Sequence, residues 1–376
     1  MNGMETIGVG VGLPARPPLG AALDALARVA RLELDSAWVI DHFSGFIPRA
    51  MWDLRFSSRA SPQSPHSLFE FQVLLGYLAA NAGRVQLGVG VTESFRRHPV
   101  LLAQAALTLS HILQRPFILG IGSGERMNIE PYGIPFTEPT NRLEEAVKVI
   151  RLAIRSDGPV DFEGKFNILD AAVMDLQAPD QREPVIWVAA HGPRTLGIAG
   201  REGDGWLPTL TLSPEDYRTS LAMVRRAAVE AGRNPMSILA ALQVMVVASE
   251  TRDGALEQLR TPPVRLWTLL HPARYWHALG ASHPLGDNFE GLVDFLPERL
   301  DPDLVRTGIG QVPDEVVGRF VLSGTPNDII AGLSALSEAG CQHFIINAVP
   351  GMSPPDPEAP TSIFSLASDF RRSLHG

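Results

Sequence analysis

The chain has 376 residues, 45% hydrophobic and 19% charged, with a formal charge of −9. That length supports one large core, and the acidic balance argues against nucleic acid or an anionic membrane as the main partner. The single cysteine, Cys341, excludes an internal disulfide and any cysteine-based metal cluster.

In chain order, residues 7–12 read as a first strand and 21–32 as a helix. A second strand at 36–41 ends in Asp41-His42. A loop over 43–65, rich in Pro, Ser and Arg, leads to an apolar helix at 68–80. A third strand at 85–91 and a helix at 99–113 follow. The central strand, 117–122, runs into the alternating glycines Gly120, Gly122 and Gly124, then Glu125 and Asn128. A helix over 138–156 places Leu143, Ala146, Val147 and Ile150 on one face. Further strands are expected at 185–190, 205–207, 238–248 and 343–347, with a last helix at 362–373.

Strands alternating with helices imply a parallel sheet with right-handed crossovers. About eight such units without a linker favour a closed (β/α)8 TIM barrel, an α/β fold, over an open sheet. The whole chain, 1–376, is then one domain, interrupted at 251–320 by an excursion carrying Trp267, Trp276, His271, His277 and His283. That excursion is either a surface loop or a lid over the substrate. The start of the chain lacks a signal peptide's basic region and long apolar core, and no apolar run reaches spanning length. A cytoplasmic protein without an integral membrane span is expected.

In a barrel the active site lies at the carboxyl ends of the strands, where Asp41, His42, Thr92, Glu93, Glu125, Asn128, His191 and Gly192 all fall. Glu125 stands where a dinucleotide fingerprint needs its third glycine, so the glycine-rich strand end suits a flat ring better than a Rossmann pyrophosphate. Glu125 and Asn128, three apart, face the same way in a turn. Each feature also has a plain reading. His42 alone reads as a satisfied polar residue, Glu125 as a cap on the next turn, and 190–194 as an ordinary strand-to-helix turn. Arg96 and Arg97 read as solvated, the alternative being that they attract the anionic tail of a bound cofactor, and His271 and His277 as surface or lid residues. No His-x-x-x-His or His-Glu-x-x-His pair is present, so no metal site is expected, and no Gly-x-Ser-x-Gly elbow points to a serine hydrolase.

The segment Ser36-Ala-Trp-Val-Ile-Asp41-His42-Phe43 resembles the second-strand motif of the luciferase-like barrel family. The stretch from Phe117 to Asn128 is similar to the fourth-strand signature of the branch that uses the deazaflavin coenzyme F420. Residues 184–194, followed by 200–206, resemble that branch's phosphate-binding segment. Glu130-Pro-Tyr-Gly133, the run from Trp187 to Arg194, and His283-Pro-Leu-Gly286 are most similar to the phthiodiolone-type ketoreductases, which reduce a ketone on a long lipid. The resemblance covers most of the chain.

It implies roles. His42 corresponds to the family histidine that exchanges a proton with the substrate oxygen, chemistry suited to an imidazole. Glu125 corresponds to a glutamate beside the pyrimidine side of the deazaflavin, where burial brings its protonated form within reach. Asn128 and Thr92 would contact the ring, with Asp41 orienting His42 or holding backbone. Gly90 lies where the family often has a non-prolyl cis bond, and Gly124 belongs to the ring-lining turn. Ala190, His191, Gly192 and Arg194 would cradle the coenzyme phosphate at a helix start.

Two departures bear on substrate. The related glucose-6-phosphate dehydrogenases continue their Asp-His-Phe motif with x-Pro-Trp, against Ser44-Gly45-Phe46 here, and carry a phosphate-gripping lysine after the sixth strand. The stretch 208–213 contains no cation, so a sugar phosphate would be poorly held. The sequence therefore predicts an F420-dependent oxidoreductase, a ketoreductase taking a small-molecule or lipid ketone. An FMN-dependent monooxygenase on the same fold and an idle flavin- or deazaflavin-binding protein are the alternatives. A homodimer is the default assembly.

Overall fold

The computed structural model describes residues 7–57, 63–210 and 213–374. Its strands are β1 (Gly8–Gly12), β2 (Ser36–Val39), β3 (Gln86–Thr92), β4 (Ile118–Ile121), β5 (Val160–Glu163), β6 (Ile168–Ala172), β7 (Val185–Val188), β8 (Gly205–Trp206), β9 (Leu239–Ala248), β10 (Leu322–Gly324) and β11 (His343–Ala348). All but β5 and β6 belong to one parallel sheet, ordered β10-β9-β11-β1-β2-β3-β4-β7-β8. The pairing of β8 with β9 closes eight of these strands into a barrel. The ten-residue β9 borders β8 in its first half and β10 in its last. The TIM barrel expected from the strand–helix alternation is therefore the observed fold.

Helices α1 (Leu19–Arg31), α2 (Phe71–Ala79), α3 (Pro99–Leu113), α4 (Pro139–Arg155), α5 (Pro193–Glu202) and α6 (Pro214–Glu230) connect the strands through β8. The predicted strands and helices recur with ends shifted by up to three residues. The antiparallel hairpin β5–β6 and the strand β10 were not anticipated. Both are short and partly exposed, and neither carries the apolar run that marks a barrel strand.

Period-two alternation along each strand divides the core. Val9, Val11, Ala37, Val39, Leu119, Ile121, Ile186 and Val188 face the helices. Trp38, Ile118, Trp187, Leu207, Ala241 and Ile345 fill the barrel interior. The two indoles fit because their strand neighbours are glycines: an added Cβ at Gly88 would lie 2.5 Å from the Trp38 ring, and one at Gly205 2.5 Å from Trp187. The polar atoms below them are paired. Trp38 Nε1 donates to Ser36 Oγ at 2.8 Å, and that hydroxyl has its own hydrogen left for His343 Nε2 at 2.7 Å.

The excursion after β9 is helical: α7 (Arg252–Leu259), α8 (Pro262–Leu269), α9 (Ala273–His277), α10 (Pro302–Gln311) and α11 (Asp314–Val317). It holds an apolar core of its own, including Val264, Trp267, Leu270, Trp276, Phe295 and Phe320. That core extends onto Ile47, Met51 and Phe56 of the loop after β2 and onto Met127. Helices α12 (Pro326–Glu338) and α13 (Ile363–Ser373) complete the outer layer. Among the described residues, no helix is long and apolar enough to cross a membrane.

Candidate active site

Beyond β2 the chain crosses the barrel mouth as Asp41-His42-Phe43, and beyond β4 it turns through Gly122, Gly124 and Glu125 into a 3-10 turn, Arg126–Asn128. Gly120 is required because an added Cβ would sit 2.1 Å from the Val89 carbonyl oxygen of β3. Gly124 turns at φ +84°, a region open to glycine and strained for other residues. These two positions bring the Glu125–Asn128 turn against the end of β2.

Asn128 connects the two segments. Its Oδ1 accepts the backbone N–H of Phe43 at 2.9 Å and of Ser44 at 3.4 Å, which fixes the amide orientation. Its Nδ2 therefore donates, reaching His42 Nδ1 at 3.0 Å and Glu125 Oε2 at 3.3 Å. Since Nδ1 accepts, the neutral imidazole carries its proton on Nε2, which stands 3.4 Å from Glu125 Oε2. The opposite tautomer would gain the Ser44 carbonyl at 3.3 Å but would set Nδ1–H against an amide N–H. Glu125 does not cap the turn that follows it. Burial pushes its carboxyl pKa up, and the neighbouring His42 and Arg96 only partly oppose that shift.

Asp41 does not orient His42. Its Oδ2 accepts from Thr92 Oγ1 at 2.6 Å, Arg96 Nη2 at 2.8 Å and Arg97 Nη1 at 2.9 Å. Arg96 also binds the Glu93 carboxylate through Nε, and Arg97 binds Glu70 Oε1 at 2.7 Å. The sequence suggested that the two arginines are solvated; the structure buries and pairs them instead. The Arg96 side chain is 4% exposed and Arg97's is 14%, because Asp41, Glu70 and Glu93 converge on them from three separate segments. Unpaired burial of such charges would be prohibitive, so the network forms as a unit. Arg96 also lies over the Phe43 ring, 4.7 Å from its centroid.

The Gly90–Val91 peptide bond, two residues before Thr92, is cis. Across the mouth, Ala190 is buried and its carbonyl accepts Trp206 Nε1–H at 3.0 Å. Gly192 caps α5, with Pro193 as first helical residue, and the N–H groups of His191 and Gly192 turn to Thr195 Oγ1 at 3.3 and 3.2 Å. An added Cβ at Gly192 would meet nothing within 4 Å, so open space lies before this helix start. Arg194 is exposed and bonds Asn141 Oδ1 of α4. His191 Nε2 accepts the Thr209 N–H at 3.1 Å, and burial together with Arg274 lowers its pKa to about 4. Thr195 and Thr209 were not singled out in the sequence, since neither belongs to a motif.

In the excursion, His277 is exposed beside Asp287, but His271 is buried, 1% exposed and stacked on Phe320 at 3.8 Å. It is not a surface residue: the second apolar core encloses it. A run of ring contacts joins it to the mouth, from His42 to Phe46 at 4.9 Å, Phe46 to Trp267 at 6.0 Å and Trp267 to His271 at 5.3 Å.

The chain is 36% identical over 334 residues to the phthiodiolone/phenolphthiodiolone dimycocerosates ketoreductase of Mycobacterium tuberculosis, covering 88% of each chain. It is 30% identical to the F420-dependent glucose-6-phosphate dehydrogenase of Kineococcus radiotolerans, covering 88% of this chain and 87% of that one. Its fold is similar to that of an F420-dependent secondary alcohol dehydrogenase in complex with an F420-acetone adduct. The TM-score is 0.75 at 21% identity, covering 97% of this chain and 98% of that one. The model of the luciferase-like monooxygenase family matches residues 4–343, and the chain belongs to that luciferase-like family.

Proposed function

We propose that this protein is a coenzyme F420-dependent ketoreductase whose substrate is an apolar or neutral ketone, a small molecule or a lipid. The arrangement of His42, Asn128 and Glu125 carries the reading. It is an imidazole with its proton held on Nε2, beside a carboxyl that burial pushes toward its protonated form. The ketoreductase and alcohol dehydrogenase relatives support this choice of reaction.

The residues fit the coenzyme. Gly90, Gly124, Thr92 and Asn128 line the mouth with backbone and small polar groups suited to a flat ring, and Asp41 braces Thr92 from behind. The open helix start at Gly192, flanked by Ala190, His191 and Arg194, suits a phosphate, because the free N–H groups of a first helical turn favour anions. When bound, the reduced coenzyme supplies the hydride that reaches the carbonyl carbon.

His42 donates its Nε2 proton to the carbonyl oxygen as negative charge develops there. Asn128 keeps that proton on Nε2 by donating to Nδ1. Glu125 Oε2 lies 3.4 Å from Nε2, and burial favours the protonated form of its carboxyl. Phe46, Trp267 and Phe320 make the neighbouring wall apolar and aromatic, and the 251–320 segment acts as the lid that excludes water from the proton transfer. The absence of a cation from 208–213 supports a substrate without phosphate.

Side-by-side fluorescence titration with oxidised F420 and FMN tests the cofactor, and oxidation of reduced F420 over a ketone panel tests the reaction. Tight F420 binding without FMN binding, together with ketone reduction, is expected. FMN binding with oxygen consumption would overturn the reading in favour of a monooxygenase. F420 binding with no turnover on any ketone would leave a coenzyme-binding protein. The exposed apolar side chains Val73 and Tyr77 on α2 and Leu101 and Ile112 on α3 support a homodimer through this face, to be checked by sedimentation.

A further inference from the structure

Among the unpartnered buried polar atoms are His191 Nδ1, beyond the end of β7, and Trp267 Nε1 and His271 Nε2 in the excursion, none of which has a partner among the described residues. Natural interiors rarely leave such atoms unpaired, so a buried group of them marks a place where a ligand or water completes the bonding. Their hydrogen-bonding sense follows from their other contacts. His191 Nε2 accepts a backbone N–H, so its proton lies on Nδ1, and the orphan is a donor. His271 Nδ1 is 2.8 Å from the Trp267 carbonyl, which only accepts, so the proton lies on Nδ1 and the orphan Nε2 is an acceptor. The indole N–H of Trp267 is a donor.

Two of the three lie on rings in contact. The Trp267 ring stands edge-on to His271, 5.3 Å away at 85°, and His191 is near enough to influence the titration of His271. Trp267 and His271 are 4% and 1% exposed. Burial lowers the pKa of His191 to about 4 and of His271 to about 3, so both rings are neutral at neutral pH. Arg274, the charged group acting on His191, is already paired with Glu290. His283, which also acts on His271, is itself satisfied, by the Leu269 carbonyl and the Leu285 N–H.

Two donors and one acceptor, all uncharged, specify the ligand group. An ether, ester or ketone oxygen only accepts and would leave His271 Nε2 unpaired. A phosphate or carboxylate would set its own negative charge against that lone pair. A hydroxyl both accepts and donates. We propose that His271, Trp267 and His191 form a subsite for a hydroxyl on the substrate, set apart from the ketone that His42 addresses. The subsite rests on the ketoreductase reading for the identity of its ligand, but not for its hydrogen bonding. The two centres are joined through the ring of Phe46, which touches both His42 and Trp267, so the hydroxyl and the ketone are separated by several bonds of apolar chain.

The test uses a long-chain hydroxyketone and its deoxy analogue. Calorimetry reads binding to the coenzyme-loaded protein, and oxidation of reduced coenzyme reads turnover. His271→Phe keeps the ring that stacks on Phe320 and removes the acceptor, and Trp267→Phe independently removes a donor. Wild-type protein is expected to bind the hydroxyketone roughly 10- to 100-fold more tightly than the deoxy compound, and either variant to bring that ratio close to one. Equal binding of the two ligands by wild type would overturn the subsite and assign the orphaned atoms to water. A ratio unchanged in a folded variant would overturn it as well. Discrimination in binding without turnover of either ketone would uphold the subsite and refute the ketoreductase reading instead.

Discussion

Asn128→Asp perturbs the proton assignment at His42 with almost no change of shape. Asn128 is 3% exposed, and its Oδ1 already accepts from the backbone of Phe43 and Ser44, so an aspartate retains those bonds. The atom that changes is the one 3.0 Å from His42 Nδ1 and 3.3 Å from Glu125 Oε2: a donor becomes an acceptor. His42 then places its proton on Nδ1 to meet the new carboxylate. A charge-assisted hydrogen bond of this kind contributes about 1.5–3 kcal/mol, which moves the tautomer ratio by roughly 10- to 150-fold. Turnover should fall by up to that factor, because Nε2 is the atom that delivers the proton. Nitrogen-15 NMR of the labelled histidine rings distinguishes the tautomers through their two-bond couplings, and oxidation of reduced coenzyme gives the rate. A wild-type ring protonated on Nε2 and a variant ring protonated on Nδ1 are expected. If the tautomer switches and turnover stays near wild type, the proton does not come from Nε2 and the proposed role of His42 fails.

His42→Ala should keep coenzyme affinity in a fluorescence titration while turnover falls about 10²- to 10⁴-fold, the usual contribution of a general acid; near-normal values of both would make His42 structural. Asp41→Asn should destabilise by about 3–5 kcal/mol in urea titration, because Arg96 and Arg97 both stay buried after each loses one of its two anionic partners; the same midpoint as wild type would show that Glu93 and Glu70 suffice for them. Stability should also fall on acidification. His271, His283 and His343 are buried, with pKa values lowered by burial to about 3, 4 and 4 from an unfolded value of 6.5. Below pH 6.5 the unfolded chain takes up protons that the folded chain refuses. Each histidine thus removes about 1.4 kcal/mol per pH unit as pH falls from 6.5 toward its folded pKa. Urea midpoints measured between pH 7 and pH 5 check this, and a flat profile would refute neutral burial of these rings.

The barrel was legible in the sequence because its signal is local. Strand-length apolar runs alternate with helix-length periodic ones, and parallel strands joined by helices close in few ways. The same logic placed His42, Thr92, Glu125, Asn128 and His191 at one mouth, since each follows the end of a strand. The short hairpin β5–β6 lacked that signal. The character of the charged groups was not legible. Arg96 and Arg97 look like any exposed pair until Asp41 and Glu70, far away in the chain, fold against them. His271 resembles a surface histidine until a second apolar core closes around it. The role of Asp41 was likewise decided by Thr92 and the two arginines rather than by its neighbour His42. By itself the sequence determined the fold and the mouth at which its polar residues gather, because hydrophobic periodicity is carried by adjacent residues. Only the tertiary structure decided which charges are buried and on which nitrogen His42 holds its proton. Those depend on partners brought from other strands, such as the Asn128 amide fixed by the backbone of Phe43.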